Sequence, residues 1–179
     1  MSGQVFTLLG VLIGAAASYL VTAATERSRW RRQFETRWDE RQFDSYLQFA
    51  ETVDKFVSLV IRIVAGRGLF DLPQPLGQEE GLELLAQAEM ERGRAFEPLL
   101  LVGDADTIAA ARSLQRGTWR LERFARGLRT GSPDEWVEEF LQYQVSRDAY
   151  YVAARKSLGI STPFRYRTED PATVGAPPE

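Results

Sequence analysis

Residues 46–65 read YLQFAETVDKFVSLVIRIVA. Tyr46, Phe49, Val53, Phe56, Val60 and Val64 recur at intervals of three and four. That spacing puts all six on one side of an α-helix, and a helix with one apolar face is built to close a helical core. The alternation of a half-buried strand is nowhere sustained beyond a few residues. An all-α fold class follows, and the next question is how many helices there are and where each one stops.

Upstream, no Gly or Pro occurs between Ala15 and Ala65, so the helix is expected to reach back well before Tyr46. Downstream, Gly66, Gly68, Pro73, Pro75 and Gly77 mark a loop. A second helix is expected over about 79–101, with Leu82, Leu84, Leu85, Ala88 and Phe96 apolar, Pro98 kinking or tightening its last turn, and Gly103 ending it. Asp104 can cap a third helix that buries Ile108, Ala111, Leu114, Leu121 and Phe124 and stops near Gly127. The fourth start is the clearest. Ser132-Pro133-Asp134-Glu135 is a capping box with proline in the first helical position and acid in the first turn. Trp136, Phe140, Tyr143, Tyr150 and Ala153 form its apolar stripe, interrupted by Arg147, and Gly159 closes it. Four amphipathic helices joined by short loops predict an antiparallel up-down bundle of about four helices over residues 42–161. Residues 162–179, with four prolines, predict a disordered tail.

The N-terminus predicts an address. Val5 to Ala24 reads VFTLLGVLIGAAASYLVTAA and carries no charge. A helix of about twenty apolar residues spans a hydrocarbon core of roughly 30 Å. A cleaved signal peptide is the rival, with Ala15-Ala16-Ala17 as the cleavage site, but Met1 to Gln4 lacks the basic n-region such a peptide needs. The basic residues lie on the other side, where Glu26 to Arg32 holds Arg27, Arg29, Arg31 and Arg32 against one acid. Arginines next to a span stay cytoplasmic. The expectation is a single-pass protein of the plasma membrane with its N-terminus outside and residues 26–179 in the cytoplasm. Residues 25–41 then form an Arg/Trp-rich helical stalk, with the Trp30 ring at headgroup level. Within the span, Gly10, Gly14 and Ser18 recur every fourth residue, a spacing that lets two helices approach closely, so a homodimer through that face is a further expectation.

The segments SYLVTAATERSRWRRQFETRWDERQFDSYLQFA, LLLVGDADTIAAAR and TWRLERFARGL resemble an uncharacterised family of small membrane-anchored proteins from high-GC Gram-positive bacteria. The resemblance runs up to Gly159. It implies the anchor and the helical domain, and since no activity is assigned to that family it implies no catalytic residues. A high-GC origin also fits the basic residues, of which only Lys55 and Lys156 are lysines.

Composition narrows the chemistry. The net charge is −3, which gives no reason to expect a nucleic-acid partner. There is no cysteine and no histidine, which removes thiolate nucleophiles, the commonest general base and the commonest zinc ligand. Glu80 and Glu83, and Glu51 and Asp54, have the spacing of helical magnesium ligands, but they stand in the reverse order of a pyrophosphatase site and on separate helices. No phosphate-binding glycine loop and no nucleophile elbow is present. No cofactor or metal is therefore expected. Arg112, Arg116, Arg120 and Arg123 run along one side of the third helix, next to Trp119, which falls off the apolar stripe. Arginine beside exposed Trp is the composition of an interface hot spot. The opposing reading is a solvated face paired with Glu122 or with acids of a neighbouring helix. The expected function is a membrane-tethered interaction module without catalysis, binding an unknown protein partner. The alternatives are an anionic-lipid binder acting through the stalk and an enzyme with an unrecognised carboxylate site.

The absence of native cysteine makes the topology testable. In intact cells Ser2→Cys should react with an impermeant maleimide and Ser161→Cys should not; labelling at position 161 alone would reverse the orientation.

Overall fold

A computed structural model describes residues 38–163. They form an all-α four-helix bundle: α1 over residues 38–66, α2 over Gln78–Val102, α3 over Ala105–Ala125 and α4 over Pro133–Ser157. Among the described residues no helix is long and apolar enough to cross a membrane. The expected span, 5–24, most of the stalk, and residues 164–179 of the expected tail lie outside the described residues.

Contacts along the bundle give its up-down course. Phe49 packs against Phe96 and Lys55 pairs with Glu91, so α2 descends beside α1. Arg92 reaches Thr118 and Arg126 reaches Glu89 between α2 and α3. Arg120 meets Glu139 and Asp106 meets Lys156 between α3 and α4. Tyr150 returns to Tyr46 and Ser157 to Gln42, closing α4 onto α1.

All six stripe residues of α1, Tyr46 through Val64, are buried, and Phe49, Phe56, Val60 and Val64 are wholly inaccessible. On α2 the buried line is Gly81, Leu85, Ala88, Arg92, Ala95 and Leu99; Leu82 and Phe96 flank it, and Leu84 faces outward. Gly81 sits there because a Cβ would come within 2.5 Å of Ile63 on α1, so the two helices touch backbone to side chain. Pro98 lies inside α2, which continues to Val102 before Gly103 ends it.

The local start and stop signals act as read. The Asp104 carboxylate accepts from the Thr107 N–H at 2.9 Å. Ser132 and Glu135 form the reciprocal capping box, with Pro133 at the first helical position. Gly127 takes φ of +70° just past α3, a conformation that costs glycine least. Between α1 and α2 the loop folds back onto α1: Leu76 N–H donates to the Arg62 carbonyl at 3.0 Å, and Arg62 Nε donates to the Gln74 carbonyl at 3.1 Å. This brings Phe70 to stack on Trp136 at 5.9 Å.

The register of α4 differs in two places from the sequence pattern. Ala154, rather than Ala153, is buried, and Phe140 is only partly buried. The cause is Trp136 and Tyr143, whose rings fill the core layer on either side and hold Phe140 at the edge, with ring centroids 5.9 Å from each. Arg147 lays its guanidinium over Tyr151 at 4.9 Å, so the stripe passes it without burying a bare charge.

These positions order three substitutions. Phe124→Ala, wholly buried, should cost about 3–5 kcal/mol. Phe140→Ala should cost less because its ring is only partly buried, and Ser132→Ala should cost about 1 kcal/mol through the lost cap. Denaturant unfolding of the three variants checks the order; a Phe140→Ala loss as large as that of Phe124→Ala would place the core layer wrongly.

Candidate functional site

The roll of α3 decides which of its arginines are available. Thr107, Ala111, Leu114, Thr118, Leu121 and Ala125 are buried at spacings of three and four. The opposite side of such a helix carries Arg112, Arg116, Trp119 and Arg123, and all four are exposed, Trp119 by 50%. Among the described residues none of these three arginines has an ion-pair or hydrogen-bond partner. Arg123 lies in the last turn of α3, where the helix dipole favours a cation.

Arg120 is not part of that free strip. It turns toward α4, and its Nε donates to Glu139 at 2.9 Å. Arg129, from the α3–α4 loop, donates to the other oxygen of Glu139 at 2.7 Å and lies over the Phe124 ring at 4.9 Å. One partly buried carboxylate therefore holds two guanidiniums and pins the loop to both helices. Burial pushes the Glu139 carboxyl up, but the hydrogen bonds from Arg129 and Arg120 and their charges outweigh it and hold the pKa below the usual value. Glu122 pairs with none of the four site arginines. It is buried, and accepts from Arg126 Nε at 2.6 Å, while Arg126 also reaches Glu89 at 3.2 Å.

Of the expected site residues, the structure thus gathers Arg112, Arg116, Trp119 and Arg123 on one exposed strip and separates Arg120 from them. Arg27, Arg29, Trp30, Arg31 and Arg32, proposed for orientation, and Gly10, Gly14 and Ser18, proposed for helix association, lie outside the described residues. Among the described residues no three acidic side chains converge to hold a metal ion.

Two buried charges escape the sequence reading. Arg92 is 3% exposed; its Nη1 donates to Thr118 Oγ1 at 3.1 Å and its guanidinium lies 4.5 Å from the Phe56 ring centroid. Burial lowers its pKa, and the charges of Glu122 and Glu89 raise it. The available signal was its place, four after Ala88 and three before Ala95 on the apolar line of α2. Asp148 is also 3% exposed, four residues after buried Gln144. Comparison with protein families, curated proteins and solved structures returns no match to this chain.

Glu139 gives the site a pH signature. Its folded pKa lies below the unfolded one, so its contribution is present above the ordinary glutamate pKa of about 4.3 and is lost as pH falls through the folded value. Glu139→Gln should lower the midpoint of urea unfolding at pH 7, and the difference from wild type should shrink below about pH 4. A gap that stays constant down to pH 3 would show that the carboxylate charge is not what holds Arg120 and Arg129.

Proposed function

We propose that the chain is a membrane-tethered interaction module whose α3 strip, Arg112, Arg116, Trp119 and Arg123, docks an acidic surface of a partner protein. The observation that carries this reading is the missing counter-charge. Three guanidiniums stand on one exposed strip beside a half-exposed Trp, while Arg120, Arg126 and Arg129 are each taken up by Glu139, Glu122 or Glu89. A solvated face with nothing to bind has no need to keep Trp119 in water. Arginine forks bind carboxylates bidentately, so the partner's share would be Asp or Glu side chains.

The tether is the uncharged run 5–24, with Arg27, Arg29, Arg31 and Arg32 keeping residues 26–179 on the cytoplasmic side and Trp30 at the interface. Gly10, Gly14 and Ser18 would pair two copies in the bilayer and so present two strips to one partner assembly. The resemblance to small membrane-anchored bacterial proteins supports this arrangement, and the reading assigns no reaction to the bundle. A second reading rests on the same side chains: unpaired arginines beside Trp also suit anionic headgroups, at about 1 kcal/mol each.

Photo-crosslinking separates them. With a photoreactive residue at position 119 of the full chain in cells, the expected product is a discrete protein adduct that disappears with Arg112→Gln, Arg116→Gln and Arg123→Gln combined. A control at Arg94, an exposed position on α2, should give none. Adducts with lipid alone would favour the second reading. Equal adducts at 94 and 119 would remove both.

A further inference from the structure

The spacing of Arg116, Trp119 and Arg123 has a counterpart elsewhere in the chain. The two cations are seven residues apart, and the indole stands three after the first. Asp44 and Glu51 are the only acids seven apart within one described helix, and Leu47 stands three after Asp44. Asp44, Leu47 and Glu51 are all exposed, Leu47 by 46%. Among the described residues neither acid lies within ion-pair distance of a cation. Residues three, four and seven apart share one side of a helix. So α1 carries acid, apolar and acid in the order in which α3 carries cation, ring and cation. Seven residues rise about 10.5 Å on either helix, so both charge pairs can meet at once.

The two strips cannot meet within one bundle. Tyr46, Phe49 and Val53 of α1 and Leu114, Thr118 and Leu121 of α3 face the shared core, and the strips lie on the backs of those helices. A second copy can supply the other half. The order matches only when the two helices run parallel; reversed, Trp119 would face Gln48 in place of Leu47. In an up-down bundle α1 and α3 point the same way, so copies standing the same way up on one membrane present them parallel. Exposed ion pairs alone contribute little. Trp119 against Leu47 supplies an apolar centre that loses water, and the charges on either side set the register. The Lys55–Glu91 and Arg92–Thr118 contacts put Thr118 level with about residue 54 of α1 in the same bundle. Arg116 opposite Asp44 therefore steps the neighbour about eight residues, roughly 12 Å, along the axis, so bundles tethered to one membrane lean when they join.

We propose that the partner docked by the α3 strip is a second copy of this chain, with Arg116 and Arg123 of one copy pairing with Asp44 and Glu51 of the next and Trp119 covering Leu47. This rests on the docking reading of that strip and names its partner. Because the two strips differ, the contact is heterologous: each pair leaves one strip of each kind open, and further copies add head to tail.

Photo-crosslinking of the purified full chain in detergent tests this. One copy carries a photoreactive phenylalanine at position 119 and is mixed with an isotopically heavy copy. The expected product has the summed mass, and its crosslinked peptide contains Leu47. Arg116→Glu with Arg123→Glu in the photoreactive copy should lower the yield at least fivefold, and Asp44→Arg with Glu51→Arg in the heavy copy should restore it. Absence of the summed-mass product, a crosslink to another part of the chain, or reversed charges that restore nothing would overturn the proposal. A discrete adduct with a different protein in cells, with none between purified copies, would also overturn it while leaving the α3 strip a docking surface.

Discussion

Arg92 is the constraint to which much of this bundle answers. A guanidinium withdrawn from water must have a ring face, an acceptor and a negative field, or the fold loses several kcal/mol. They come from three helices: the Phe56 ring from α1, the Thr118 hydroxyl and the Glu122 charge from α3, and the Glu89 charge from α2. Meeting all three fixes how far α1, α2 and α3 slide past one another. It also draws Glu122 inward, and Arg126 closes on Glu122 and on the more exposed Glu89. With Thr118 and Glu122 turned inward, the roll of α3 is set, and that roll exposes Arg112, Arg116, Trp119 and Arg123. The strip proposed for docking is therefore the reverse side of a core requirement.

The contrast among the arginines of α3 is electrostatic rather than compositional. The chain is acidic overall, and an average over its surface would predict nothing basic to recognise. Charges act within about a Debye length, however, so the local arrangement decides what a partner meets. Glu139 neutralises Arg120 and Arg129 at the α3–α4 junction, and no acid among the described residues lies within ion-pair distance of the other three site arginines. Trp119 gives that strip an apolar centre, so a partner would gain desolvation there as well as charge.

Much of the fold could be read from residue order because its determinants are local. The α1 stripe is periodic without exception, and the caps at Asp104 and Ser132 and the stops at Gly103, Gly127 and Gly159 act within one turn of themselves. The missed features depend on neighbours distant in sequence. Arg92 looks solvated until Phe56 and Thr118 are placed around it. Asp148 looks like an ordinary helix-surface acid, and its burial appears only when the helices are assembled. Phe140 yields its core place to Trp136, because Phe70 arrives from the α1–α2 loop to stack on the indole. In the candidate site, the residue types, their shared side and a pairing with acids of a neighbouring helix could be read, but which arginine would be claimed could not, since Glu139 is brought to Arg120 only when α4 packs on α3.

One end of the bundle has a mechanical consequence. Gln42 Nε2 lies 2.9–3.1 Å from Tyr46 Oη, the Val102 carbonyl and Ser157 Oγ and shares its two N–H groups among them, and Tyr46 Oη also lies 3.1 Å from Ser157 Oγ. The Asp104 N–H reaches Tyr46 Oη at 3.4 Å, and Tyr150 Oη donates to the Tyr46 carbonyl at 2.9 Å. The start of α1 is thus fastened to the end of α2, the cap of α3 and the last turns of α4. A pull or twist delivered at residue 41 cannot peel α1 away one turn at a time. It loads four helices together, in shear across several hydrogen bonds at once, so the bundle responds to force from that side as one stiff body.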